Sequence, residues 1–364
     1  MRQSPVLYEA YWLRTIACLA VMMTHTVDVT LLHYENQIGW LEENLLILMR
    51  FMAYFGTPAF VFLSEFLIAR AYREQVPASF LRKRVRYLLI PFAVMGVVFA
   101  VALAPSWSAV PDRAALHILA GGYTGYFVLI IFQFYLLHLL AARWLNCRKP
   151  WPVLGCSLVI SALYLLFFNV TEPPAGAVAE YIWQRGYWLP FIGWLFYFTL
   201  GFYAGIYYDQ LKQRLDEHRW LIRILPVFSI LLLIVLVRTD TILVVSSKRI
   251  DMLLYTTAMI FLIFYLARFT EKAPPPVLWI SRYSFNIYLL HNLFLLHAPP
   301  IPGLPPLVYA ATALTAALLL SITAAAILAK LPGSDYIIGK QLPVPHDKAA
   351  KKERLRPQGR TVSR

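Results

Sequence analysis

Residues 11–29 read YWLRTIACLAVMMTHTVDV, a run apolar enough to enter a membrane that nevertheless carries Arg14, His25 and Asp28. At 100° per residue, Arg14 and His25 return to nearly the same helix face, roughly 16 Å apart along the axis. Asp28 falls three residues past His25, on the neighbouring edge of that face. An ionisable side chain at the bilayer centre costs about 3 kcal/mol or more on insertion scales, so such groups turn to a protein interior or a wet cavity. One helix face therefore links two depths of the membrane. On this span alone two readings stand level. In one, Arg14 reaches the headgroups and His25 hydrogen-bonds a neighbouring helix. In the other, a cation for an anionic substrate and an imidazole base, with an unperturbed pKa of about 6.5, serve one reaction.

The rest of the chain extends the membrane reading. Of 364 residues, 60% are hydrophobic, 15% aromatic and only 14% charged, against about 25% charged in soluble domains. Apolar runs of spanning length cover approximately residues 10–32, 44–69, 87–104, 122–142, 152–169, 188–208, 220–237, 252–267, 283–297 and 305–329. They are far too long for barrel strands, so the expected fold is all-α and polytopic, with about ten transmembrane helices. The expected organisation is one membrane domain, 1–341, followed by a basic, disordered tail, 342–364. Cys18, Cys147 and Cys156 show no paired spacing, which argues against a disulfide scaffold and a metal site. The first run, interrupted by Arg14 and without a small-residue cleavage site, reads as a retained span rather than a signal peptide.

Placing the amino terminus inside assigns 26 of the 33 Lys and Arg to cytoplasmic segments. Only Arg113, Arg185, Arg238, Lys248 and Arg249 fall outside, with Arg14 and Arg50 inside spans. That asymmetry predicts a multi-pass membrane protein with both termini cytoplasmic, and it accounts for the net charge of +14 without nucleic acid.

Four further stretches carry chemistry. In LLILMRFMAYFGTPAFVFLSEFLIAR, Gly56 and Pro58 predict a kink in the second span. Glu65 beyond it either pairs with a cation, Arg14 or the next basic loop, or takes a direct catalytic role. FLRKRVRYLLIPF gathers Arg82, Lys83, Arg84 and Arg86 before Pro91, on the membrane side of Arg14, where they anchor the span or hold a polyanion such as the nucleotide end of coenzyme A. Tyr123, Tyr126, Trp188 and Trp194 form an interfacial belt or a platform for sugar rings. RYSFNIYLLHN puts Ser284, Asn286, Tyr288 and His291 into one spanning helix, more polar groups than packing explains. Arg50 and Arg185 are the sparse candidates for pairing with a carboxylate near the outer side.

Together these stretches resemble the membrane acyltransferase-3 family over nearly the whole chain. Arg14 to His25 matches its arginine, ten residues, histidine motif; FVFLSEFL, RKRVRYLLIPF and SFNIYLLH resemble its second-span, basic and late serine, tyrosine and histidine motifs. Glu65 departs from the glycine more usual after the serine. FGTPAFVFLS, GYTGYFVLIIFQF, GWLFYFTLGFYAG and YIIGKQ are most similar to the branch encoded with the machinery for poly-β-1,6-N-acetylglucosamine, the intercellular adhesion protein C type. The resemblance implies O-succinylation of that biofilm glycan or its export. On the enzymatic reading, acyl-CoA (succinyl-CoA or acetyl-CoA) is the donor substrate and no cofactor is permanently bound. Arg14, Arg82, Arg84, Arg86 and Glu65 form the donor site, and His25, oriented by Asp28, is the base. Tyr288, Ser284 or His291 bonds the oxyanion, and the four aromatics hold the glycan. The partners implied are the polysaccharide, the bilayer and the glycan synthase complex. A glycan exporter is the competing class, although no internal repeat or nucleotide-binding motif is evident. A proton-coupled carrier using His25 and Asp28 leaves the basic cluster unused.

Overall fold

A computed structural model of the protein describes residues 6–73, 75–270 and 272–344. The expected tail therefore lies, from residue 345 on, outside the described residues. The elements are α1 (Tyr8–His33), α2 (Trp40–Ala53), α3 (Gly56–Ala71), α4 (Phe80–Arg84), α5 (Ile90–Leu103), α6 (Val110–Ala120), α7 (Phe127–Asn146), α8 (Pro150–Val170), α9 (Ala177–Trp188), α10 (Leu195–Ile206), α11 (Tyr208–Glu217), α12 (Arg219–Arg238), α13 (Met252–Ala267), α14 (Pro275–Leu296) and α15 (Pro306–Leu328). Among the described residues there is no strand, as expected where lipid leaves the backbone to satisfy itself. Taking short breaks as continuous, eight helical stretches are long and apolar enough to cross a membrane, and α13 is apolar but shorter. With the more polar α14, all ten expected spans fall on helices.

Side-chain pairs set the helix directions. Along α1 and α14 the partners rise together, Thr15 with Val277 and Cys18 with Ser284, so the first and ninth spans run parallel. Likewise α10 runs parallel to α3, with Gly201 against Phe62 and Gly205 against Phe66. α8 and α10 run antiparallel, Ser157 meeting Thr199 while Ser161 meets Phe196 and Ile192. These senses are those of spans numbered one, nine, two, six and five in a serpentine chain.

Burial separates the centre from the rim. In α1, 61% of the apolar window is buried, against 17% in α8 and 22% in α12, so α1 lies within the bundle and the other two present Leu163, Phe228 and Leu231 to lipid. The aromatic core joins α3 to α13 through Phe62, Phe66 and Phe264, with ring centroids 5.3–5.8 Å apart. The α3–α10 approach depends on absent side chains. A Cβ at Gly205 would stand 2.6 Å from the Phe66 carbonyl oxygen, and one at Gly201 would collide with that of Phe62. This G-x-x-x-G spacing lets two backbones touch where lipid gives no hydrophobic drive to association.

Two local breaks shape the site. The second span is interrupted at Tyr54–Phe55, just before Gly56 and Pro58, and Tyr255 Oη donates to the Met52 carbonyl at 2.9 Å there. Tyr54 and Phe55 keep right-handed helical dihedrals, so at the expected kink the helix tightens for one turn rather than ending, and the Met52 carbonyl is satisfied by another helix. Before Pro91, which has no N–H to give, residues Val85–Leu89 widen into a π turn that re-aims the basic segment.

Candidate active site

The polar face of α1 is directed at α14. Arg14 Nη1 donates to Ser281 Oγ at 3.4 Å, and the His25 ring lies 5.4 Å from that of His291. Neither group is given to lipid. The threonines between and beyond them bond to their own helix, Thr24 to Val21 O, Thr26 to Met22 O and Thr30 to Thr26 O, which removes their cost in an apolar span.

Two cavities open on this face. A cavity of about 390 Å³ is lined by Arg14, Ser64, Arg84, Ser284 and Tyr288, with apolar walls from Phe60, Leu63, Leu67, Ile68 and Leu88. A second, of about 560 Å³, is lined by Thr24, His25, Asp28, Tyr54, Thr57, Tyr123, Tyr126, Arg185, Trp188 and Lys248. The two share no lining residue, yet Tyr126 lines one and its neighbour Phe127 the other. The turn Thr124–Tyr126 at the start of α7 thus stands between them, as does the first turn of α3, with Thr57 on one side and Phe60 on the other. Tyr288 latches it, its hydroxyl donating to the Thr124 carbonyl at 2.7 Å and accepting the Phe127 N–H at 3.2 Å. Gly125 is required in that turn because the Tyr123 ring lies where any Cβ would go.

His25 makes no hydrogen bond to the described residues, so its ring nitrogens are free toward the larger cavity. His291 is fully buried; its Nδ1 donates to Ile287 O at 2.8 Å, which can only accept, so the Nε2 carries the lone pair. That Nε2 is buried without a partner, a rare condition in a native interior and one that marks working groups.

Several expectations need correction. Asp28 does not orient His25: it is half exposed and accepts from Arg50 Nη1 at 2.9 Å, a pair that neutralises both at the cavity edge. Glu65 lines neither cavity and pairs with no cation of the basic loop. It is buried between α3 and α7, with Oε1 2.6 Å from His138 Nδ1, because the Gly201 approach turns that face of α3 into the core. Of the basic segment only Arg84 lines the Arg14 cavity, with its guanidinium 4.9 Å from both the Phe80 and Tyr135 rings. Arg82 and Arg86 are exposed, Arg86 lying over Tyr336. Tyr123, Tyr126 and Trp188 line the His25 cavity, whereas Trp194 is buried behind it, 2% exposed, and offers no face to a sugar. The Tyr288 proton is committed to Thr124, so the hydroxyl serves as a latch in this state.

Sequence reasoning missed Lys248. It belongs to the 239–251 connection between α12 and α13, and it reaches the His25 cavity together with Arg185 of α9. The one available signal was the scarcity of cations expected on that side.

The fold and this site define a multi-pass helical membrane protein with a polar track between two back-to-back cavities. Residues 8–328 match the acyltransferase-3 family, described as an acyltransferase domain, and the chain belongs to that family. It is 35% identical over 310 residues to the "Putative membrane-bound acyltransferase YfiQ" of Bacillus subtilis, covering 82% of this chain and 85% of the relative. It is 28% identical over 290 residues to the "Probable poly-beta-1,6-N-acetyl-D-glucosamine export protein" of Staphylococcus aureus (79% and 82%), and 26% identical over 294 residues to the protein of that name from Staphylococcus epidermidis (79% and 81%). No solved structure matches the chain. It is an acyltransferase-family protein of the bacterial cell membrane.

Proposed function

We propose that this protein moves an acyl group, succinyl in preference to acetyl, from cytoplasmic acyl-CoA to a hydroxyl of an extracellular polysaccharide. The acceptor suggested by the names of the staphylococcal relatives is poly-β-1,6-N-acetylglucosamine. The observation that carries the reading is the pair of neighbouring cavities with a latched turn between them, a cation in one and a free imidazole in the other. With the amino terminus inside, the Arg14 cavity opens to the cytoplasm and the His25 cavity to the outside.

Arg14 and Arg84 hold the anionic donor, with Arg82 and Arg86 adding positive potential on the same segment. The apolar walls between them suit the thin arm that carries the thioester. Release of the Tyr288 hydroxyl from Thr124 lets the thioester carbonyl pass to the His25 side and frees a donor for its oxygen. His25 takes the proton of the acceptor hydroxyl as that oxygen attacks the carbonyl carbon. The tetrahedral intermediate collapses by breaking the C–S bond, and the imidazolium returns the proton to the departing thiolate. His291 packs against His25 and fixes its ring. Tyr126 and Trp188 present aromatic faces to the sugar. Export of the glycan is the other class; a latched turn between cavities that share no lining is a poor conduit for a polymer.

The test uses the purified full-length protein with labelled succinyl-CoA and an N-acetylglucosamine oligomer. Ester-linked label on the oligomer, lost in His25→Ala at unchanged monodispersity, is the expected outcome. Full transfer by His25→Ala overturns the base. Secreted glycan from cells lacking the protein should keep its yield and lose its ester groups; lost secretion with no change in esters favours export.

A further inference from the structure

Lys248 is the least expected group in the molecule. It is 4% exposed, and no carboxylate lies within 4 Å of its ammonium among the described residues. One proton bonds Tyr126 Oη at 3.2 Å, and the Nζ stands 5.2–5.9 Å from the ring centroids of Tyr126, Tyr187, Trp188 and Trp194. An aromatic box offsets part of the cost of burying an ammonium, by about 2 kcal/mol when desolvated, but it leaves the charge unmatched.

The box is constructed, not incidental. The Lys248 carbonyl accepts from Tyr187 Oη at 2.7 Å and from Asn169 Nδ2 at 3.3 Å, so its backbone is pinned while its head faces the cavity. Arg185 enters the same cavity, stacked on Trp188 at 5.3 Å and bonded to the Gly121 carbonyl, with its Nε buried and unpartnered. The other charges nearby cancel, Arg50 with Asp28 and Arg249 with Asp251. Two unmatched cations therefore face one cavity that also holds His25.

We infer that Lys248, with Arg185, holds the free carboxylate of a dicarboxylic acyl group, succinyl being the four-carbon case, and so selects the acyl chain. The assignment rests on the acyl-transfer function proposed above. A polymer of N-acetylhexosamine carries no anion, and any deacetylated unit in it would be cationic and repelled, so the anion these cations meet arrives on the acyl group. The charge also keeps the ester product in place until the glycan leaves.

Two measurements on the full-length protein test this. In the first, succinyl-CoA and acetyl-CoA are compared as donors to one acceptor, and the ratio of their kcat/KM values is followed. Lys248→Gln and Arg185→Gln should each lower that ratio about 10- to 100-fold, the range for removing one hydrogen-bonded charge, and Lys248→Arg should restore most of it. An equal loss with both donors, or no change in the ratio, overturns the assignment. In the second, Trp fluorescence follows binding of the succinyl and acetyl esters of an N-acetylglucosamine oligomer, with no turnover needed. Tighter binding of the succinyl ester by wild type, lost in Lys248→Gln, supports the site even if transfer from acyl-CoA fails, in which case the enzymatic proposal falls alone. Equal binding of the two esters overturns it.

Discussion

The two cavities are built in different ways. The Arg14 cavity is walled mostly by side chains of spanning helices, α1, α3, α7 and α14, at positions that recur every three or four residues, with Tyr72, Arg84, Leu88 and Leu342 added from outside those helices. The His25 cavity takes one wall from α1 and much of the rest from what lies between spans, namely Gly121 and Gly122 after α6, the end of α9, and the 239–251 connection. A helical wall inherits its geometry from the bilayer that forces the helix. A loop wall has no such template and must be fastened by its own bonds, and here Arg249 does so. Buried at 1% exposure, it donates to both oxygens of Asp251 and to the carbonyls of Ile242 and Val244, next to Lys248.

Substitutions should separate the two walls. The largest effect is expected at His25, where Ala should lower kcat about 10²- to 10⁴-fold, the usual worth of a general base, with donor KM little moved; steady-state transfer of labelled succinyl measures both. Next, Arg249→Met strands Asp251, and breaking a buried pair costs about 3–5 kcal/mol. The melting temperature should drop, and succinyl transfer should fall more than donor binding, as isothermal titration with a non-hydrolysable acyl-CoA analogue would register. If donor binding falls equally, the loop wall is not separable from the helical one.

Tyr288→Phe keeps the ring and removes the latch. Transfer should fall about 10- to 100-fold, somewhat less than loss of a dedicated oxyanion donor, while CoA release without acceptor rises, so the ratio of free CoA to ester is the diagnostic. Arg14→Gln should raise donor KM about 10-fold, the worth of a charged hydrogen bond, with a smaller change in kcat. The smallest effect belongs to Glu65→Gln, which keeps the shape of the bond to His138 and should leave donor KM where it is. A raised donor KM there would return Glu65 to the donor site.

What could be read in advance follows the same division. Arg14 and His25 were legible because a helix repeats every 3.6 residues, and because a charge in an apolar run must face protein. The orienting partner of His25 was misread. Asp28 is nearer in sequence, but Arg50, brought beside it by the turn between α1 and α2, claims it, and the ring that lies beside His25, 5.4 Å away, is that of His291 on α14. Glu65 was misplaced for a related reason. Periodicity gives the face of α3 but not which helix covers it, and Gly201 and Gly205 bring α10 there. Trp194 shows that an aromatic near a boundary can be core as readily as platform.

The sequence by itself determined that the chain is all-helical and polytopic, where its long apolar helices run, and the polar face of α1, since each follows from local hydropathy and spacing along one helix. Only the tertiary structure decided that the face ends in two cavities rather than one, that Tyr288 closes the turn between them, and that Lys248 reaches the His25 side. Those depend on contacts between residues more than a hundred positions apart, for which hydropathy carries no signal.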